Sequence, residues 1–210
     1  MSDKTISDAI NKAKKYNVAL RAITFNTKTH KHELGKNLPQ AENDYKIKFN
    51  DDDQKTFLKK RDVLKKDLSR DKLHEKIINC IPQIFQFEKK KKIDGKEVFV
   101  STKEAAQLLN DSSELMGLLL KAYGISTSQI RRYLDSLRRI KSNEIFNPSD
   151  VLLQQVKVAY AAGRDSDLTF LYEVMKPAIT EGCKEYHYFE HLLRFVEAIV
   201  AYHRFYKGED

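Results

Sequence analysis

The segment from about residue 184 to 205 constrains the fold more than any other part of the chain. Phe189, Leu192, Leu193, Phe195, Val196, Ile199, Val200 and Tyr202 spread apolar side chains around much of one helix circumference. A helix apolar on so many sides is the central member of a bundle, so the rest of the chain must supply helices that wrap it. The sequence upstream does so. Ser101 with Glu104 has the spacing of a capping box, Asp111 with Glu114 repeats an acid-capped start, and Leu115, Leu118 and Leu119 form a stripe that stops at Gly124. Ser126 with Gln129 makes a third box, followed by Ile130, Leu134, Leu137 and Ile140 on one helical face. Asn147-Pro148-Ser149 ends that unit and caps the next helix. In it Leu152, Val156, Ala159 and Tyr160 share a face, and Gly163 is placed as the C′ residue. Leu168, Leu171, Tyr172 and Met175 mark a shorter helix that Pro177 should kink or end. The reading is all-α: residues 101–210 form a compact bundle of about five helices.

Residues 1–100 read as a basic, partly helical N-terminal extension. The first 50 are rich in Lys, Asn, Thr and Asp, with weak apolar periodicity. Asp51-Asp52-Asp53 then precedes Phe57, Val63, Leu64, Leu68 and Leu73, which predict one long charged helix from about 53 to 79. Ile84 to Phe87 and Glu97 to Val100 flank Lys89 to Gly95, the only hairpin-like signal in the chain. This places Lys89 to Lys92 in the connecting loop, where they either grip RNA or keep the tip soluble. Charge divides unevenly: residues 1–100 carry 24 Lys/Arg against 15 Asp/Glu, a balance of +9, and residues 101–210 carry 14 against 15, a balance of −1. Any polyanion contact in the second half must therefore come from local clustering.

Several function classes are excluded on chemistry. The longest apolar runs are broken by charge, so no membrane span is expected. Met1 to Lys15 is polar and mixed in charge, unlike a leader peptide. Cys80 and Cys183 alone do not make a disulfide framework, which fits a reduced cytoplasmic protein. No nucleophile elbow, P-loop, dinucleotide fingerprint or Cys-x-x-Cys pair occurs, so neither catalysis nor a cofactor is expected. His187-Tyr188-Phe189-Glu190-His191 matches the inverted zinc-peptidase pattern, with Cys183 one turn earlier. Such an enzyme needs a further ligand well downstream, and only 19 residues follow His191. Histidines on a helix surface or bundle edge are the better reading, and no metal is expected.

The basic positions carry more. On the Ser126-capped helix Arg131, Arg132, Arg138, Arg139 and Lys141 face Asp135 alone, a local charge of +4 opposite the Ile/Leu face. Such a stripe neutralises phosphates without reading bases, although a merely solvated face would look alike. Lys157 and Arg164, two helical turns apart, extend it. A helical DNA-binding regulator using this arginine-rich helix for recognition is one alternative.

Three segments add a resemblance. Thr127-Ser128-Gln129-Ile130-Arg131-Arg132, then Val158-Ala159-Tyr160-Ala161-Ala162-Gly163-Arg164-Asp165, then Phe195 to Gly208 (FVEAIVAYHRFYKG) resemble the small subunit of type III-A CRISPR effector (Csm) complexes in content, order and spacing. The likeness covers about half the chain and leaves residues 1–100 aside. It implies a non-catalytic helical protein whose copies stack head to tail along the backbone subunits that hold the CRISPR RNA, in antiviral defence. The implied partners are CRISPR RNA, target RNA, the backbone and large subunits, and further copies of the chain. The implied phosphate contacts are Arg131, Arg132, Lys157, Arg164, Arg204 and Lys207, with Arg138 and Arg139 added from the stripe. Arg164 could instead pair with Asp165 or cap its helix. The small subunit of a related type III (Cmr-like) complex is the nearest alternative.

Overall fold

The computed structural model describes residues 2–29, 31–93, 96–142 and 145–206. The chain opens with helix α1 (Ser2–Ala22), then the strands β1 (Ile23–Asn26) and β2 (Lys31–Leu34). Helices α2 (Leu38–Tyr45), α3 (Asp51–Phe57), α4 (Arg61–Asp71) and α5 (His74–Ile84) follow, then β3 (Phe87–Ile93) and β4 (Lys96–Ser101). The remainder is helical: α6 (Lys103–Tyr123), α7 (Thr127–Lys141), α8 (Pro148–Leu152), α9 (Gln154–Arg164), α10 (Thr169–Gly182) and α11 (Tyr186–Phe205). The fold is all-α, with two antiparallel two-stranded ribbons as its only described sheets.

Local chemistry sets most boundaries in the second half. Thr102 caps α6, its hydroxyl accepting from the Ala105 N–H at 3.0 Å. The cap is thus one residue later than the Ser101 expected from sequence. Asp111 starts no helix: it lies within α6 and accepts from Gln107 one turn earlier at 2.9 Å. Gly124, at φ 82, ends α6 in the left-handed region that glycine adopts without cost. The Ser126/Gln129 box and the Asn147 cap form as expected. Gly163 lies inside the last turn of α9, and Asp165 takes the C-cap. Pro177 does not end α10, which runs on to Gly182.

The extension departs further from expectation. α1 is a long helix whose core side is Ile6, Ala9, Ile10, Ala13, Tyr16, Ala19 and Ala22; small alanines carry much of its periodicity and weaken the apolar signal. The ribbon β1–β2 makes a second hairpin, turned by the Asn26 side chain, which accepts from the N–H groups of Lys28 (2.9 Å) and Thr29 (3.3 Å). The single helix expected over 53–79 is three helices. Its breaks fall at Leu58–Lys60 and at Lys72, which sits at φ 47 in the left-handed region. The one hairpin expected from sequence, over 84–100, is present, but Lys89 to Lys92 belong to strand β3 rather than to the connecting loop.

α11 is the central helix, as its composition demands: Phe189, Leu192, Phe195, Val196 and Ile199 are each at most 1% exposed. It packs along α6 at very close range. A Cβ placed on Gly117 would lie 2.8 Å from the His203 nitrogen and 2.9 Å from the Tyr202 Cβ. The other flank of α6 receives α1 and α5, and α10 lies against α5, α9 and α11. One apolar cluster joins residues from Ile6 to Tyr206. Polar stitches reinforce it: buried Asn17 donates to the Leu118 carbonyl at 3.0 Å, and Lys14 and the Tyr206 hydroxyl share the Glu114 carboxylate at 2.8 and 2.5 Å. No described helix is long and apolar enough to cross a membrane.

Candidate nucleic-acid interface

Helix α7 presents its arginines as two ridges. Ile130, Leu134, Leu137 and Ile140 are buried on one side, so the exposed side falls between the seven-residue pairs Arg131/Arg138 and Arg132/Arg139. The first ridge leans towards α11: Arg138 donates to Glu197 at 2.9 Å and lies 3.9 Å from Asp135. Lys141 on the last turn reaches Glu190 at 3.0 Å, and that bond holds the ammonium above its ordinary pKa. These contacts lash α7 to the central helix.

The second ridge faces α9. Arg132 and Arg139 line a groove of about 530 Å³ together with Lys157 and Arg164 from α9. Asp165 is the one acid among its described lining residues, so four cations meet a single carboxylate. Ile125, Ile130, Val158, Leu168 and Leu171 floor the groove, and the Arg164 guanidinium sits 5.8 Å from the centre of the exposed Tyr160 ring. Beneath it buried Ser136 donates to Gln154 at 2.8 Å, and Gln154 donates back to the Asp150 carbonyl at 3.0 Å, fixing the spacing of α7 and α9. The Tyr133 hydroxyl, also on the lining, is buried with no hydrogen-bond partner, and its pKa is raised by desolvation.

The eight basic positions named from sequence therefore separate. Arg132, Arg139, Lys157 and Arg164 converge on the groove. Arg131 is exposed on the other ridge, Arg138 is engaged with Glu197, and Arg204 lies exposed near the end of α11. Lys207 lies outside the described residues.

The apolar face expected for α9 is real but points the other way. Leu152, Val156 and Tyr160 are 47%, 63% and 65% exposed, joined by Leu153 at 59%, whereas Val151, Gln154 and Val158 meet the core. The polar Gln154 on the inner side disguised which stripe was buried.

The histidine pattern on α11 builds no metal cradle. The His187 ring stacks on Phe99 at 4.2 Å, and His191 is buried against Phe85 and Phe87 at 5.4 and 5.1 Å. Glu190, the would-be base, turns to Lys141. Among the described residues no group of three or more His, Cys, Asp or Glu side chains is placed to hold a metal ion.

The family described as Csm2 Type III-A matches residues 103–209, which begin at the first residue of α6 and include every groove residue. The CRISPR system Cms protein Csm2 of Streptococcus thermophilus is 39% identical over 98 residues, covering 42% of this chain and 78% of that protein. No solved structure matches the chain. With half of its length matched by the family, and with a relative this similar aligned over most of its own length, the chain belongs to the Csm2 Type III-A family.

Proposed function

We propose that this chain is the non-catalytic small subunit of a type III-A CRISPR effector complex, and that its α7–α9 groove holds the sugar–phosphate backbone of guide or target RNA. The observation that carries the reading is the convergence of Arg132, Arg139, Lys157 and Arg164 on one groove with a single acid among its described lining residues. A subunit that must accept any target cannot read base edges, and cations aimed at phosphates suit that task. The outward strip Leu152–Leu153–Val156 borders the groove through Tyr160, and we assign it to a neighbouring protein subunit. Repetition along a filament then supplies affinity that one groove lacks, through effective concentration.

Arg132→Glu with Arg139→Glu is expected to weaken single-stranded RNA binding by roughly 100-fold, at ~1.5 kcal/mol per lost charged hydrogen bond. The slope of log K against log salt should fall by about 1.4, at ~0.7 per phosphate. Fluorescence anisotropy at several salt concentrations checks both, and unchanged binding with unchanged melting temperature would sink the groove reading. Random-sequence RNA should compete as well as the probe; strong preference for one duplex DNA sequence would favour a transcriptional regulator instead.

For the strip, Leu153→Asp with Val156→Asp should abolish co-purification with the other complex subunits. Because both side chains are exposed, isolated stability should stay within about 0.5 kcal/mol of wild type. Retained assembly would remove the strip from the interface.

A further inference from the structure

Beyond the turn 165–168 lies a second cleft, of about 760 Å³, between helices α4 and α5 of the extension and helix α10. The two share a wall: Asp165 and Leu168 line the groove, and Ser166 and Asp167 line the cleft. Lys65, Lys66 and Lys72 enter the cleft from the extension and Lys176 from α10, over a floor that includes the stacked rings of Tyr123 and Phe170 at 4.7 Å.

The distribution of acids decides what the cleft can take. α4 is rich in both charges, but its aspartates are largely turned away. Asp71 accepts from Tyr16 at 2.5 Å and pairs with Lys12 at 2.9 Å, and Asp67 takes Lys59 at 2.8 Å. Inside the cleft Lys65 donates to the Tyr123 carbonyl (3.1 Å) and to Asp167 (3.4 Å), Lys72 pairs with Glu75 (2.9 Å), and His74 pairs with Glu173 (2.7 Å). Lys66 and Lys176 form no ion pair among the described residues and are exposed. The internal pairs position the walls and leave the ammonium groups of Lys66 and Lys176 open to an anion, in a lining of four lysines against the three carboxylates Glu75, Asp167 and Glu173.

We infer that this cleft extends the RNA track, with Lys66 and Lys176 contacting phosphates of the strand that leaves the groove past the 165–168 turn. The inference rests on the groove reading above. It gives the extension, which lies outside the segment matched by the family, a defined role: a longer footprint on the same sugar–phosphate backbone. A mixed-charge cleft that neighbours a basic groove across one short turn suits a flexible polyanion that needs neutralisation at intervals.

The test uses the full-length chain and two single-stranded RNAs of mixed sequence, of about 4 and about 16 nucleotides, the range of single-strand site sizes on small folds. Lys66→Glu with Lys176→Glu should weaken binding of the long RNA roughly tenfold or more and lower its salt slope by about 1.4, while binding of the short RNA stays unchanged. Lys66→Arg with Lys176→Arg should behave as wild type. Loss on both lengths, or on neither, overturns the cleft as an extension of the track. Arg132→Glu with Arg139→Glu must still reduce binding of the short RNA; if it does not, the groove reading fails whatever the cleft variants do. A purified partner subunit that loses affinity for the lysine variants while RNA binding is unaffected would reassign the cleft to protein contact and overturn the inference.

Discussion

Acidification from pH 7 to pH 4 is expected to remove about 6 kcal/mol of folding stability through two histidines, an amount comparable with the whole stability of a typical domain. His191 and His203 are 3% and 0% exposed. Burial lowers each ring to about 4, partly opposed by the adjoining backbone at Ile84 and Ile125. Nearby cations push the same way as burial: Arg194 for His191, Lys121 and Arg204 for His203. In the unfolded chain both rings titrate near 6.5. Between those values the unfolded state binds more protons than the folded one, so stability rises with pH. It is fully present above about 6.5 and is lost as pH falls towards 4. Each ring contributes about 3 kcal/mol, at ~1.4 kcal/mol per pH unit. Chemical denaturation at half-unit steps between pH 7 and 4.5 measures the loss. The carboxylates of half-buried Asp67 and exposed Glu75, held below their ordinary values chiefly by bonds to Lys59 and Lys72, add a loss only further into acid. His191→Phe with His203→Gln should flatten the dependence above pH 4.5, and an unaltered slope in that variant would refute the assignment.

The second large effect concerns the contact of α6 with α11. Gly117→Val should cost about 3 kcal/mol, because the new Cβ lies 2.8 to 3.0 Å from three atoms of Tyr202 and His203, two of them backbone. Flexible side chains can swing away from such a clash, but two helix backbones can only separate, and separation opens the core around Phe195 and Leu115. For a chain of this size that loss corresponds to a melting temperature lower by roughly 10 °C. Gly163→Ala supplies the contrast. Its added methyl meets nothing within 4 Å, and the position is helical, so this variant should gain about 0.5–1 kcal/mol. Equal melting temperatures for the two variants would show that proximity at Gly117 does not matter.

The second half of the fold was legible because its signals are redundant. Around Ser126 a side-chain cap, a reciprocal glutamine and a four-residue apolar face all demand the same helix, and the structure supplies it. The α9 face was misjudged because two stripes compete there. The inward one contains Gln154, whose hydrogen bond to Ser136 is a tertiary fact that spacing does not reveal. The extension was harder for two physical reasons. Alanines bury little surface and give a helix like α1 a faint period, and a break such as Lys72 occupies a backbone conformation its residue type does not advertise. At the site, sequence supplied the cations but not their sorting. That Arg132 and Arg139 serve the groove while Arg138 binds Glu197 depends on where α9 and α11 lie against α7.

The seating of α1 and α5 on α6 bears on ancestry and on protein engineering. The segment held in common with the family starts where α6 starts, yet α6 here spends one flank on helices from outside that segment. A fragment trimmed to residues 103–209 would bare that flank, remove the second bond that Asn17 makes to the Leu118 carbonyl, and leave the Glu114 carboxylate without Lys14. The segment matched by the family and the segment that closes the apolar core are therefore of different lengths. An expression plasmid drawn to the matched boundary should yield a sticky half-molecule, and any graft of this chain should carry the first hundred residues with it.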